Sequence, residues 1–83
     1  MSETGESTLG AIRFEADEAQ AKYGDFASAH EAYGVLAEEV TELFEGVRMS
    51  QLSSACPEVI RREAVQVAAV ALRIAEQAAR LTR

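Results

Sequence analysis

Residues 28–48 read SAHEAYGVLAEEVTELFEGVR, and this stretch decides the fold class. Ser28 with Glu31 three residues later is the capping-box pattern that opens a helix. Leu36, Val40, Leu43 and Val47 then recur at intervals of four, three and four, the apolar stripe of one helix. Tyr33 and Phe44 widen that stripe on one side. The pattern predicts a helix over 29–48.

The reading extends outward in both directions. Upstream, Leu9, Ile12, Ala16 and Ala19 sit at helical spacing and predict a helix over 8–22, ended by Gly24 and Asp25. Downstream, a Ser-rich loop is expected over 49–56. Pro57 suits the first position of another helix, and Glu58 is favourable near its N-terminus. That helix is predicted over 57–81. No alternating strand pattern or hairpin turn occurs. The chain therefore reads as all-α, a helical bundle of about three helices.

The 83 residues suffice for one domain, placed at 8–83. Residues 1–7 are polar and rich in Gly, Ser and Thr, and are expected to form a disordered tail rather than a signal peptide. No apolar run is long enough to cross a membrane, so no membrane partner is expected. Cys56 is the single cysteine, which excludes an intrachain disulfide and fits a cytoplasmic setting. The net charge of −6 argues against nucleic acid as a partner, because phosphate backbones demand basic surface. A phosphate ligand carried by a divalent metal remains compatible with it.

The third helix is apolar on two sides. Val59, Val67, Val70, Ile74 and Leu81 share one face, and Val65, Ala68, Leu72 and Ala79 share the opposite one. A helix apolar all round is normally buried. The second face is expected to pack against another subunit, the other available cover being the first helix.

Several carboxylates break this pattern. On a wheel of about 100° per residue, Glu39 lies about 60° and Glu42 about 120° from the stripe centre of the second helix. Alone, that pair would read as ordinary solvated charge. Glu63, however, falls near the centre of the first apolar face of the third helix, with Gln66 on the same face. A carboxylate there is unfavourable unless paired or metal-bound. Two helices presenting oxygens at i, i+3 can converge on one hard cation, and Mg²⁺ suits such oxygen ligands.

These residues resemble a known family. Glu38-Glu39-Val40-Thr41-Glu42 matches the EExxE motif of the MazG-like all-α nucleoside triphosphate pyrophosphohydrolases. The family's second motif, EExxD, falls at Arg62-Glu63-Ala64-Val65-Gln66. The similarity covers about residues 22–83. It implies chains assembled as homodimers or homotetramers around a four-helix-bundle core. It also implies Mg²⁺-dependent hydrolysis of a (d)NTP substrate to the monophosphate and pyrophosphate. Carried over by position, Glu39, Glu42, Glu63 and Gln66 would be metal ligands, and Glu38 a catalytic, water-orienting acid. Two positions depart from the family: Arg62 replaces the first Glu of the second motif, and Gln66 replaces its Asp. The loss of charge at Gln66 favours an alternative, a catalytically impaired helical oligomer that binds nucleotide or metal or serves only as an interaction module.

Four further residues are substrate-binding candidates. Arg62 and Arg73 share a stripe with Arg80 that could touch phosphates, or simply pair with surface acids. His30 reads as a surface residue or a catalytic base. Tyr33, with Tyr23 and Phe26, could stack on a nucleobase or pack in the core.

Overall fold

The computed structural model describes residues 5–52 and 57–82, with side chains described over 8–51 and 57–82. Three helices account for nearly all of this: α1 (Gly5–Tyr23), α2 (Ala29–Leu52) and α3 (Pro57–Leu81). The bounds of α3 are those read from Pro57. Helix α1 begins inside the stretch expected to be a tail: no breaker separates residues 5–7 from the periodic segment, and each added residue extends the ladder by one hydrogen bond. Residues 1–4 lie outside the described residues. Helix α2 likewise runs on past Arg48 to Leu52 through part of the expected loop, since Met49, Gln51 and Leu52 are tolerated in helices. The remainder of that loop, 53–56, also lies outside the described residues.

The link between α1 and α2 is built from local chemistry. Gly24 has φ +75°, the left-handed conformation that terminates a helix most readily when no Cβ is present. Its N–H closes α1 on the Gln20 carbonyl at 2.9 Å. Ser28 caps α2: its Oγ accepts from the Glu31 N–H at 3.0 Å. The Glu31 carboxylate reaches back to the Ala27 N–H, one residue before the cap.

Helix α3 is the central element, with α1 and α2 packed on two of its sides and not on each other. Gly46 of α2 approaches Val59 and Glu63 of α3, while the Phe26 N–H donates to Gln77, so α3 returns antiparallel along α2. Phe26, Ala32 and Val70 form the core here, with Val35, Leu36, Ile74 and Leu81 around them. The opposite side of α3 packs against α1: Ala16, Val65 and Ala69 are buried there. The first helix, whose Ile12–Ala16–Ala19 stripe needs the same cover, thus takes part of that face, leaving Ala68 and Leu72 half-buried and Ala79 exposed. An exposed ion pair, Arg13 to Glu76 at 2.7 Å, adds to this contact.

The contact face of α2 also differs from the expected one. Val40 is 47% exposed, whereas Ala32 and Gly46 are buried and Glu39 is half-buried. The Ala32–Glu39–Gly46 line, at intervals of seven and about 60° from the stripe centre, is the deeper part of the contact, while Leu36, Leu43 and Val47 are half-buried beside it. A Cβ at Gly46 would stand 3.5 Å from Val59 Cγ1 and 3.8 Å from Glu63 Cγ, ordinary van der Waals contact, so α3 packs directly against this line.

Phe26 is the largest apolar residue among those buried, and it stacks under the Arg73 guanidinium at 4.4 Å. Replacing Phe26 by Ala is expected to remove about 3 kcal/mol of unfolding free energy. Urea denaturation followed by circular dichroism measures this, and a loss below about 1 kcal/mol would show that the link is not part of the cooperative core.

Candidate metal centre

Helix geometry puts Glu39 and Glu42 one turn apart on α2, and the crossing at Gly46 brings Glu63 of α3 to them. One carboxylate oxygen from each of Glu39, Glu42 and Glu63 lies within 4.8 Å of the other two. Glu39 and Glu63 are half-buried and Glu42 is exposed. Glu39 Oε1 and Glu63 Oε1 are sealed from solvent and accept no hydrogen bond. Among the described residues, no arginine or lysine forms an ion pair with any of the three.

Such a group is electrostatically unfavourable when fully ionised. Like charges this close repel one another, most strongly between half-buried Glu39 and Glu63 and less at exposed Glu42, which water screens. Burial, first, and then the charges of Glu42, Glu63 and Glu38 push the Glu39 carboxyl above the ordinary carboxylate range. Sealed oxygens with no donors, all of them hard ligands, fit a divalent cation of the Mg²⁺ or Ca²⁺ kind. The donor set does not distinguish between these.

The trio sits between two cavities. A cavity of about 450 Å³ is lined by Glu39 together with Glu38, Gln66, Arg73, Phe26 and Tyr23. A smaller one of about 350 Å³ is lined by Glu42, Glu63, Gly46 and Met49. Gln66 thus stands on the same cavity as Glu39, and so does the exposed Glu38. The fold does not keep the arginine stripe together. Arg62 opens onto a different cleft, about 470 Å³, between α1 and α3, beside Phe14 and Arg61. Arg80 donates to the Phe26 carbonyl at 2.6 Å and lies 3.5 Å from Asp25. Arg73 alone of the three combines burial with access to the Glu39 cavity. His30 and Tyr33 are exposed and line none of these three cavities, and Phe26 belongs to the core.

Two participants escaped the sequence reading. Gly46 packs against Glu63, and its spacing of seven from Glu39 and Ala32 was the available signal. The Gln20–Arg73–Gln77 cluster behind the larger cavity depends on contacts between α1 and α3 and left no local signature.

The chain matches no protein-family model, no curated protein and no solved structure. Among the described residues, no helix is long and apolar enough to cross a membrane.

The raised Glu39 carboxyl sets the sign of a pH dependence. Between the ordinary carboxylate value and the higher folded value, the native state holds more protons than the unfolded chain, so stability falls as pH rises through that window. In metal-free buffer, Glu39→Gln should flatten the decline in Tm as the pH rises above the ordinary carboxylate value and raise Tm at the upper end. Parallel profiles for the two proteins would contradict an unfavourable ionised Glu39.

Proposed function

We propose that this chain is a Mg²⁺-dependent nucleotide pyrophosphohydrolase that converts a (d)NTP to the monophosphate and pyrophosphate. The observation that supports it most is the convergence of Glu39, Glu42 and Glu63, unpartnered, at the edge of a cavity large enough for a nucleotide. The similarity of residues 38–42 and 62–66 to the MazG-like motifs supplies the reaction.

In this reading, Glu39, Glu42 and Glu63 hold the cation, which supplies charge neutralisation to the phosphates when bound. Glu38, exposed on the cavity wall next to Glu39, orients the attacking water and takes its proton. The water oxygen forms the new bond to phosphorus as the bond to the pyrophosphate leaving group breaks. Gln66 offers an amide oxygen from the same cavity, with one negative charge fewer than the family's Asp.

A homodimer or homotetramer with a four-helix-bundle core belongs to the same reading. Tyr33, Val40 and Phe44 are exposed at i, i+7 and i+11 on the outer side of α2, a stripe suited to a facing copy. Only six apolar residues are buried among the described ones, a thin core for a chain on its own. A cytoplasmic setting is consistent with the single cysteine. A second reading, a cation- and nucleotide-binding oligomer without turnover, is favoured by Gln66 and Arg62 standing where the motif has carboxylates.

Pyrophosphate release from each dNTP with Mg²⁺ separates the two. The enzyme reading expects release that falls at least about 100-fold in Glu39→Ala or Glu63→Ala, about 2.7 kcal/mol in barrier, and rises in Gln66→Asp. Release no higher than in those variants would leave the second reading. For either reading, Mg²⁺ at a hundredfold excess over Kd should stabilise the fold by about 2.7 kcal/mol and so raise Tm.

A further inference from the structure

Arg73 is 5% exposed, and a charge so deeply buried normally faces a carboxylate. Among the described residues it forms no ion pair. Its Nε donates to Gln20 Oε1 at 3.1 Å and its Nη2 to the Gly24 carbonyl at 2.8 Å. The guanidinium stacks on the Phe26 ring. Two neutral acceptors and an aromatic face therefore fix its plane. Nη1 donates to no described residue and is not sealed from solvent, and Arg73 lines the cavity that it shares with Glu39. The result is a rigid charged donor facing the cavity, with donor capacity left over.

Its surroundings select what it would bind. Asp25, Glu31, Glu38 and Glu39 line the same cavity, so a phosphate placed against Arg73 would stand among carboxylates. A neutral acceptor meets no such repulsion. Arg73 lies ten residues beyond Glu63 on α3, about 15 Å along the helix axis. That separation is comparable to the span of a nucleoside triphosphate from its phosphates to its base. With the phosphates at the Glu39 end, the base reaches Arg73, with Tyr23 beside it. A guanidinium can only donate, so it selects an acceptor on the base edge.

We infer that Arg73 Nη1 reads a keto oxygen of the nucleobase, so that the site takes nucleotides with keto bases in preference to adenine nucleotides. Adenine has no keto oxygen and carries an amino group where guanine has one. The inference rests on the nucleotide reading of the carboxylate site and goes beyond it to the substrate class.

The test uses the whole chain with Mg²⁺ and two triphosphate analogues that cannot be turned over: inosine 5′-(α,β-methylene)triphosphate, and the same analogue of purine riboside, which lacks the keto oxygen. Calorimetry should find the inosine ligand about 10- to 100-fold tighter on the wild-type protein, as for a hydrogen bond to a charged donor. Folded Arg73→Gln should lose most of that ratio. Because that change can also loosen the link, circular dichroism checks its fold, and the wild-type ratio stands without it. Equal affinities on the wild type, no binding of either ligand, or a ratio kept in folded Arg73→Gln would overturn the inference. Mn²⁺ binding without nucleotide, followed by electron paramagnetic resonance, separates the two levels. Metal binding without base discrimination overturns only the role of Arg73, whereas absence of both overturns the carboxylate site as well.

Discussion

Helices α2 and α3 meet along a seam whose middle residue is a carboxylate. Ala32 and Gly46 flank Glu39 at intervals of seven and are both buried in the contact. Glu63 approaches from the other side of that crossing, and Glu42 joins them from the rim. The two sealed oxygens have lost water and gained no donor. Burying charge in this way is unfavourable unless a proton or a cation compensates it. An apolar residue at Glu39 would make the seam a better helix contact, so packing does not account for the carboxylate.

The same helix carries a group of opposite sign at its other end. Arg73 is held by neutral acceptors and by Phe26, and the amide of Gln77 ties this cluster to Gln20 at 3.0 Å. Gln77 also accepts from the Phe26 N–H at 2.9 Å, which pins the link between α1 and α2 against α3. Of this network, Arg73 and Phe26 line the larger cavity, with the two glutamines holding them from outside it. One rigid helix thus sets the distance between a carboxylate group and a guanidinium, and sites built on such elements are well positioned. A chain this short gains little stability from its core, so these polar contacts carry more of the organisation than they would in a larger domain.

The sequence disclosed the helices because their signals are local. Ser28 and Glu31, Gly24, and Pro57 each act on backbone groups within a few residues. Acidic residues that interrupt an apolar face also mark themselves, and Glu39, Glu42 and Glu63 were legible in that way. The deeper burial of the Ala32–Glu39–Gly46 line on α2 was not legible. Leu36, Val40, Leu43 and Val47 have more apolar area than Ala32 and Gly46, and periodicity weighs only hydrophobicity. The cover over the second face of α3 was equally undetermined, because a first helix and a second subunit offer the same apolar surface.

The carboxylate motif and the arginine stripe therefore have different histories. Sequence by itself determined that three helices form and that Glu39, Glu42 and Glu63 interrupt apolar faces, since helix spacing fixes which residues share a side. Only the tertiary structure decided that these carboxylates meet, that α1 packs on α3, and that Arg62, Arg73 and Arg80 part company. A common face on one helix says nothing about what packs against each turn of it: α1 and the link bury Arg73, while Arg62 faces an open cleft.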